Sequence, residues 1–271
     1  MNLELSVVIP VYNEEGNVLP LLEELDATLT SFAPDSEIIL VNDGSIDGTH
    51  RVIVSVQARF PRVRYLRLAV NTGQTAAFDA GFRAARAPWI ATMDGDLQIN
   101  PADLEKMLAI VRKTEVDFVY GRREKRRDGW LKLVSTRIAN SVRNRLTGES
   151  IVDTGCPLKV FRREIADRIP LFTGSHRFFI TLAHLEGFRS VEVIVSHRPR
   201  VSGVSKYGVW NRVFRSLRDC LVVRWMQARH FRYQVEEIRA DGGAIGRTSR
   251  GCRESPTLER PLRDLGGPRD G

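Results

Sequence analysis

Trp89-Ile90-Ala91-Thr92-Met93-Asp94-Gly95-Asp96-Leu97-Gln98, with Asn100-Pro101 just beyond, runs an apolar segment straight into a cluster of hard oxygen donors. If the backbone stays extended past Met93, residues 94, 96 and 98 share one face, because strand side chains alternate. Two carboxylates and an amide oxygen then converge at the end of a strand, a donor set suited to Mg²⁺ or Mn²⁺. Such an ion commonly bridges a protein to a diphosphate. The same residues also read as a polar strand-to-helix turn, with Pro101 opening the next helix.

Upstream, strand and helix signals alternate. Leu5-Ser6-Val7-Val8-Ile9-Pro10-Val11 reads as a buried strand with Pro10 near its end, where a ladder hydrogen bond can be spared. Val18, Leu22, Leu25, Leu29 and Phe32 recur at helical spacing. Glu37–Val41 is a second strand, closed by the turn-rich Asn42-Asp43-Gly44-Ser45-Ile46-Asp47-Gly48-Thr49. A helix to about Phe60, a strand at 63–68 and a helix over 75–85 lead to the strand ending at Asp94. A helix over 102–113 and a strand at 116–120 follow. This order predicts an α/β fold, a mostly parallel central sheet flanked by helices. Ligands of such sheets bind outside the carboxyl ends of the strands, where Tyr12-Asn13-Glu14, Asp43 and Asp94–Gln98 all fall. Acids gathered there repel one another unless cations or N–H donors compensate; a metal ion and a nucleobase would do so. Asp43 taken alone is a turn or helix cap.

Downstream, residues 122–150 are basic and helical in pattern, 151–163 give a loop and strand, 170–190 contain His176-Arg177-Phe178-Phe179, and 191–196 form a late strand. Trp210, Val213, Phe214, Leu217, Leu221 and Trp225 fall on one helical stripe, with Arg212, Arg215 and Arg218 off it and Arg224 within it. That composition suits a helix lying in a membrane interface, or one packed on its own domain or a partner. After Tyr233 the chain is poor in large apolar residues, and from about 240 to 271 it reads as disordered.

The 271 residues carry a formal net charge of +8, which points to an anionic partner. Arg and Lys crowd into 122–145 and 198–232. The 3 cysteines, Cys156, Cys220 and Cys252, are far apart, so neither a disulfide framework nor a zinc site is indicated and a reducing compartment is expected. Met1-Asn2-Leu3-Glu4 lacks the basic start of a secretory signal, and no apolar run approaches the roughly 20 residues that span a bilayer.

Six blocks in register resemble glycosyltransferase family 2, and within it the polyprenyl-phosphate, dolichol-phosphate mannosyltransferase-like branch. They are Val8-Ile9-Pro10-Val11-Tyr12-Asn13-Glu14-Glu15, Val41 to Thr49, Asn71-Thr72-Gly73-Gln74-Thr75-Ala76-Ala77, Asp94 to Gln98 with Pro101, Asp153-Thr154-Gly155-Cys156, and His197-Arg198-Pro199-Arg200 through Gly203-Val204-Ser205-Lys206-Tyr207. The resemblance covers about 5 to 225. It implies a GT-A fold over 1–233: a Rossmann-like nucleotide-sugar half (1–100), an acceptor half (101–207) and an amphipathic interfacial helix (208–233), before a disordered tail (234–271). By the same resemblance Pro10, Tyr12, Glu14 and Asp43 would hold the nucleoside of a nucleotide-sugar donor. Asn42 stands where the family usually has a second Asp, which leaves Asp43 as the base-reading acid. Asp96 would bind Mg²⁺ or Mn²⁺ with Gln98 in support, Asp94 would bind metal or sugar, and Arg200, Ser205 and Lys206 would close over the diphosphate. Asp153 takes the place of the catalytic acid, as base or as orienting group. Many relatives carry transmembrane helices after this point.

The acceptor separates the possibilities. A sugar hydroxyl needs a general base, whereas a lipid monophosphate, with a second pKa of about 6, is already ionised and needs cations to position it. Arg122, Arg123, Arg137 and Arg177 are the candidates for that task. The leading expectation is an inverting, metal-dependent transferase that moves a sugar to a polyprenyl phosphate. It would be cytoplasmic and peripherally associated with the inner face of the cell membrane, through the lipid surface or a membrane-protein partner. The alternatives are a relative that glycosylates a saccharide or lipid hydroxyl, and a basic nucleic-acid binder. The acids at three strand ends argue against the last, because they repel phosphates when no metal is present.

Overall fold

Five of the seven residues of β1 (Leu5–Val11) are apolar and fully or almost fully buried, as a strand covered on both faces requires. The computed structural model describes residues 3–123, 141, 143–198, 209–231, 233–238 and 244–250. Within them, β1 is followed by α1 (Val18–Phe32), β2 (Ser36–Asn42), α2 (Thr49–Val56), β3 (Val63–Arg67), α3 (Gln74–Ala84), β4 (Trp89–Thr92), α4 (Asp103–Lys113), β5 (Phe118–Arg123), β6 (Lys159–Arg162) and β7 (Ser190–Val195). Helices at Arg163–Arg168 and Phe179–Leu185 lie between β6 and β7, and a long helix at Val209–Arg229 follows.

The seven strands make one sheet in the order β3-β2-β1-β4-β6-β5-β7. All its pairings are parallel except those of β6, which runs against both β4 and β5. Side-chain alternation sorts the core into two layers. Val7, Ile9, Ile38 and Leu40 join α1 and α4 on one face, through Leu21, Leu22, Leu25, Leu104 and Leu108. Val8, Ile39 and Val41 join α3 on the other, where Phe78, Phe82, Phe161 and Phe179 interlock. Phe161 and Phe179 sit 4.6 Å apart between ring centroids, within the range of favourable aromatic pairs.

This topology brings the carboxyl ends of β1, β2, β4, β5 and β7 to one edge, together with the amino end of β6. Thr92 lies opposite Lys159 across the antiparallel ladder, so β6 delivers its first residue to the edge where the other strands end.

Two expectations change. β4 stops at Thr92, and 94–98 is a turn with Leu97 at φ 60 in place of extended strand; alternation is therefore not what groups Asp94 with Asp96. The segment from about 240 to 271 reads as disordered from composition, yet within it Ala244–Arg250 forms β9, which pairs antiparallel with β8 (Tyr233–Ile238). The antiparallel pairing supplies inter-strand hydrogen bonds that composition does not reveal. The remainder of the expected tail, 251–271, lies outside the described residues.

Candidate active site

Two loops at the carboxyl edge are stitched together first. Asn13, at φ 53, donates its N–H to Ser45 Oγ at 3.0 Å and accepts the Ile46 N–H on Oδ1 at 2.9 Å. The Glu14 N–H goes to Thr49 Oγ1 at 2.8 Å, and its carboxylate accepts from Asn17 Nδ2 at 2.6 Å. Tyr12 and Glu14 are therefore held, half-buried, over the end of β1 beside Pro10. Asn42, fully buried, donates to the Tyr65 hydroxyl and accepts the Ser45 N–H; it is a scaffold residue.

Asp43 is 4 % exposed, and the 71–73 loop saturates its carboxylate. Oδ1 accepts the Thr72 N–H at 2.7 Å; Oδ2 accepts the Gly73 N–H at 2.9 Å and Asn71 Nδ2 at 3.1 Å. Gly44 permits this approach: at φ +65, a Cβ there would lie 2.4 Å from the Asn71 nitrogen. A nucleobase contact to Asp43 would have to take a place that Asn71 or Gly73 now holds.

The turn after β4 holds the acidic pair. Gln74, the first residue of α3, donates Nε2 to Asp94 Oδ1 at 2.8 Å, and Asp96 Oδ1 accepts the Gln98 N–H at 3.3 Å. Desolvation first, then the charge of Asp96, push the Asp94 carboxyl up to about 6 against the pull of Lys159, Arg123 and Gln74. The Asp96 charge therefore lies close enough to act on the Asp94 carboxyl. Among the described residues, no three His, Cys, Asp or Glu side chains gather as a metal site. Two carboxylates nonetheless fit a hard cation that keeps its waters and takes its remaining oxygens from substrate phosphates, as Mg²⁺ does.

The sign of the Asp94 shift has a measurable consequence. Its folded-state pKa lies above the ordinary carboxyl value, so the stability tied to its bound proton is complete below about pH 4 and lost as pH rises through about 6. Asp94→Asn should therefore raise the melting temperature of the metal-free protein at about pH 8 and leave it unmoved at about pH 4. Equal melting temperatures at both pH values would contradict the assignment.

The Asp153 carboxylate lies face to face with Arg123: Nε reaches Oδ2 and Nη2 reaches Oδ1, both at 2.8 Å, with side chains 12 % and 11 % exposed. The Gly155 N–H adds a bond to Oδ1 at 3.2 Å. Arg122 pairs with Glu192 at 3.1 Å. Two of the four arginines expected to meet an acceptor phosphate, Arg122 and Arg123, thus bond carboxylates of their own chain, because β5 and β7 run side by side and the 151–158 loop folds over the end of β5. Arg137, Arg200, Ser205 and Lys206 lie outside the described residues. The neighbouring Arg198 is in place: its N–H donates to the Gln98 carbonyl at 2.8 Å and its guanidinium pairs with Glu24.

Behind Asp94 lies a cavity of about 220 Å³ lined by Gln74, Thr75, Asp94, Lys159, His176 and Arg177 over a floor of phenylalanines. Burial, reinforced by Arg177, pushes His176 down to about 3, and its Nδ1 faces Thr75 Oγ1 at 2.7 Å. His176 is a neutral wall residue there. Gln74 and Lys159 are the two site residues that the sequence left unassigned. Gln74 stood inside a quoted block without a role; Lys159 carries no signal, because only strand reversal brings it to this edge.

The profile described as glycosyl transferase family 2 matches residues 6–169. The dodecaprenyl-phosphate galacturonate synthase of Rhizobium johnstonii is 40 % identical over 229 residues, 82 % of this chain and 67 % of its own length. The undecaprenyl-phosphate 4-deoxy-4-formamido-L-arabinose transferase of Aeromonas hydrophila is 33 % identical over 209 residues, 77 % of this chain and 64 % of its own. The chain thus spans about two thirds of the length of these relatives. Among solved structures, the glucosyl-3-phosphoglycerate synthase of Mycobacterium tuberculosis, in complex with Mn²⁺, uridine diphosphate and glucosyl-3-phosphoglycerate, superposes with a TM-score of 0.62 at 16 % identity, covering 95 % of this chain and 90 % of that one. That likeness establishes a shared fold.

Proposed function

The chain belongs to glycosyl transferase family 2 and has the GT-A fold, and from that premise we propose that it transfers a sugar from a nucleotide sugar to a polyprenyl phosphate with inversion at the anomeric carbon. The observation that carries this reading is the meeting of Asp94 and Asp96 beside a cationic cavity at the edge where the parallel strands end. A divalent cation held by Asp94 and Asp96 would supply electrostatic stabilisation of the departing nucleoside diphosphate. The structural relative named with Mn²⁺ and uridine diphosphate supports that choice of ion and leaving group.

The protein's own residues divide the remaining work. Gln74 orients Asp94, and the Asn13–Thr49 stitch holds Tyr12 and Glu14 where a nucleoside would lie. Asp153 has each carboxylate oxygen engaged by Arg123, so it would have to give up one of those bonds to accept a proton. A hydroxyl acceptor would need a better base, whereas a phosphate arrives ionised. This favours the phosphate acceptor, as do the printed names of both relatives. Those names differ in the sugar, so it is the donor that distinguishes members.

The test is direct. Purified protein with Mn²⁺, undecaprenyl phosphate and labelled UDP- and GDP-sugars should move label into the organic phase, and chelator should stop it. Label that stays in water with every donor would refute the proposal.

Among the described residues, no helix is long and apolar enough to cross a membrane. The helix at Val209–Arg229 turns Asp219, Cys220 and Val223 inward and leaves Leu217, Leu221 and Trp225 outward at 42, 55 and 63 % exposure, with Arg218 and Arg224 beside them. The expected roles of Trp210, Val213 and Phe214 fall on side chains outside the description. We assign the outward face to the headgroup layer of an anionic cytoplasmic leaflet. The double change Leu221→Glu with Trp225→Glu should weaken co-sedimentation with phosphatidylglycerol vesicles by about tenfold or more. Undiminished sedimentation would shift the docking role to a membrane-protein partner.

A further inference from the structure

Leu97, between Asp96 and Gln98, stands at φ 60, a left-handed conformation that a leucine keeps only where its surroundings hold it. Its side chain packs against the core, and its backbone neighbours are held from far along the chain. The Gln98 peptide is engaged on both sides. Its N–H donates to Asp96 Oδ1 at 3.3 Å, and its carbonyl accepts the Arg198 N–H at 2.8 Å. Ile99 pairs with His197 in an antiparallel bridge, and the Ser196 N–H donates to Asp103 Oδ2 at 2.7 Å. The chain leaving β7 is thus laid along the turn that carries the acidic pair.

Arg198 ties that segment to a third element. Its guanidinium meets Glu24 of α1 through two bonds, Nη1 to Oε2 at 2.9 Å and Nη2 to Oε1 at 2.7 Å. Such a bidentate pair fixes orientation as well as distance. α1 is itself anchored in the core through Leu21, Leu22 and Leu25, so Glu24 is a firm support. The two side chains are 40 and 32 % exposed, and ion pairs that wet add little to stability. What this pair contributes is position. Resting on the reading above, we propose that Glu24 and Arg198 are a positioning pair for the divalent cation: they fix the Gln98 peptide and, through its N–H, the Asp96 carboxylate in the geometry that binds the ion. Neither side chain touches the cation or the reacting atoms.

Calorimetric titration of Mn²⁺ into the full chain, with UDP or GDP present, tests this without turnover. Glu24→Gln and Arg198→Gln should each raise the Mn²⁺ Kd by about tenfold, as loss of an outer support of a metal ligand does. The double variant should be no weaker than either single one. Melting temperatures should stay within about 3 °C of wild type, because the pair is exposed. Exchanging the charges, Glu24→Arg with Arg198→Glu, should return the Kd to within about threefold of wild type. In sugar transfer, the loss should lie in KM for Mn²⁺ and vanish at saturating metal. An unchanged Kd in both single variants overturns the inference. So does a loss confined to Arg198→Gln, which makes Arg198 a direct contact of the diphosphate, or a loss matched by melting several degrees lower, which marks a structural pair. Wild type that transfers sugar yet binds no Mn²⁺ overturns the inference and leaves the transferase reading standing; wild type that does neither overturns both.

Discussion

Asp96→Ala should reduce sugar transfer by at least about 1,000-fold, the scale on which a cation at a departing diphosphate acts. In the turn after β4, burial first and then the charge of Asp96 raise the pKa of Asp94. Lys159, Arg123 and Gln74 offset part of that repulsion, and a bound cation would offset more. Asp96→Ala would remove one of the carboxylates proposed to hold the cation and would also relieve the metal-free protein of the like charge. The variant should therefore melt no lower than wild type, and Asp94 should titrate closer to the ordinary carboxyl range. Loss of activity with an unchanged or raised melting temperature separates a cation ligand from a structural acid. Transfer within about tenfold of wild type, still unaffected by chelator, would remove the cation from the mechanism.

The second large effect is on stability. Asp153→Ala strands the Arg123 guanidinium, which is 11 % exposed and held by its partner through two bonds of 2.8 Å. Against burial, which alone would lower it, the bonds and charge of Asp153 keep the Arg123 pKa above its ordinary value. The group cannot shed its proton to escape, and breaking a buried pair from one side costs about 3–5 kcal/mol. For a chain of this size that corresponds to a fall in Tm on the order of 10 °C. Arg123→Met combined with Asp153→Leu should recover most of the loss, since an apolar pair of similar volume leaves no stranded charge. Urea unfolding of the two single variants and the double variant measures the coupling. An Asp153→Ala protein within about 1 kcal/mol of wild type would mean that the pair is solvent-screened. If the double variant is stable but transfers no sugar, the carboxylate also serves the reaction.

Much of the fold was legible because its signals are local. The two-sided burial of β1 and β2, the apolar spacing of Val18, Leu22, Leu25 and Leu29, and the turn residues from Asn42 to Thr49 depend on neighbours a few positions apart. The carboxyl-edge rule then placed Tyr12, Glu14, Asp43 and the Asp94–Gln98 cluster together before any coordinates were needed.

Contacts between distant segments were not legible. Composition could not show that Arg123 would lie against Asp153, or Arg122 against Glu192, since a basic run is free to face solvent, phosphate or an acid from any later strand. The turn at Leu97 set Asp96 beside Asp94 where an extended reading predicted the same neighbourhood for another reason. Sequence by itself determined the alternation of elements, the family and the acidic edge. Tertiary structure alone decided which charges neutralise one another and that Lys159 enters the site, because the reversed course of β6 is a choice of long-range pairing that leaves no periodic trace in the residues around it.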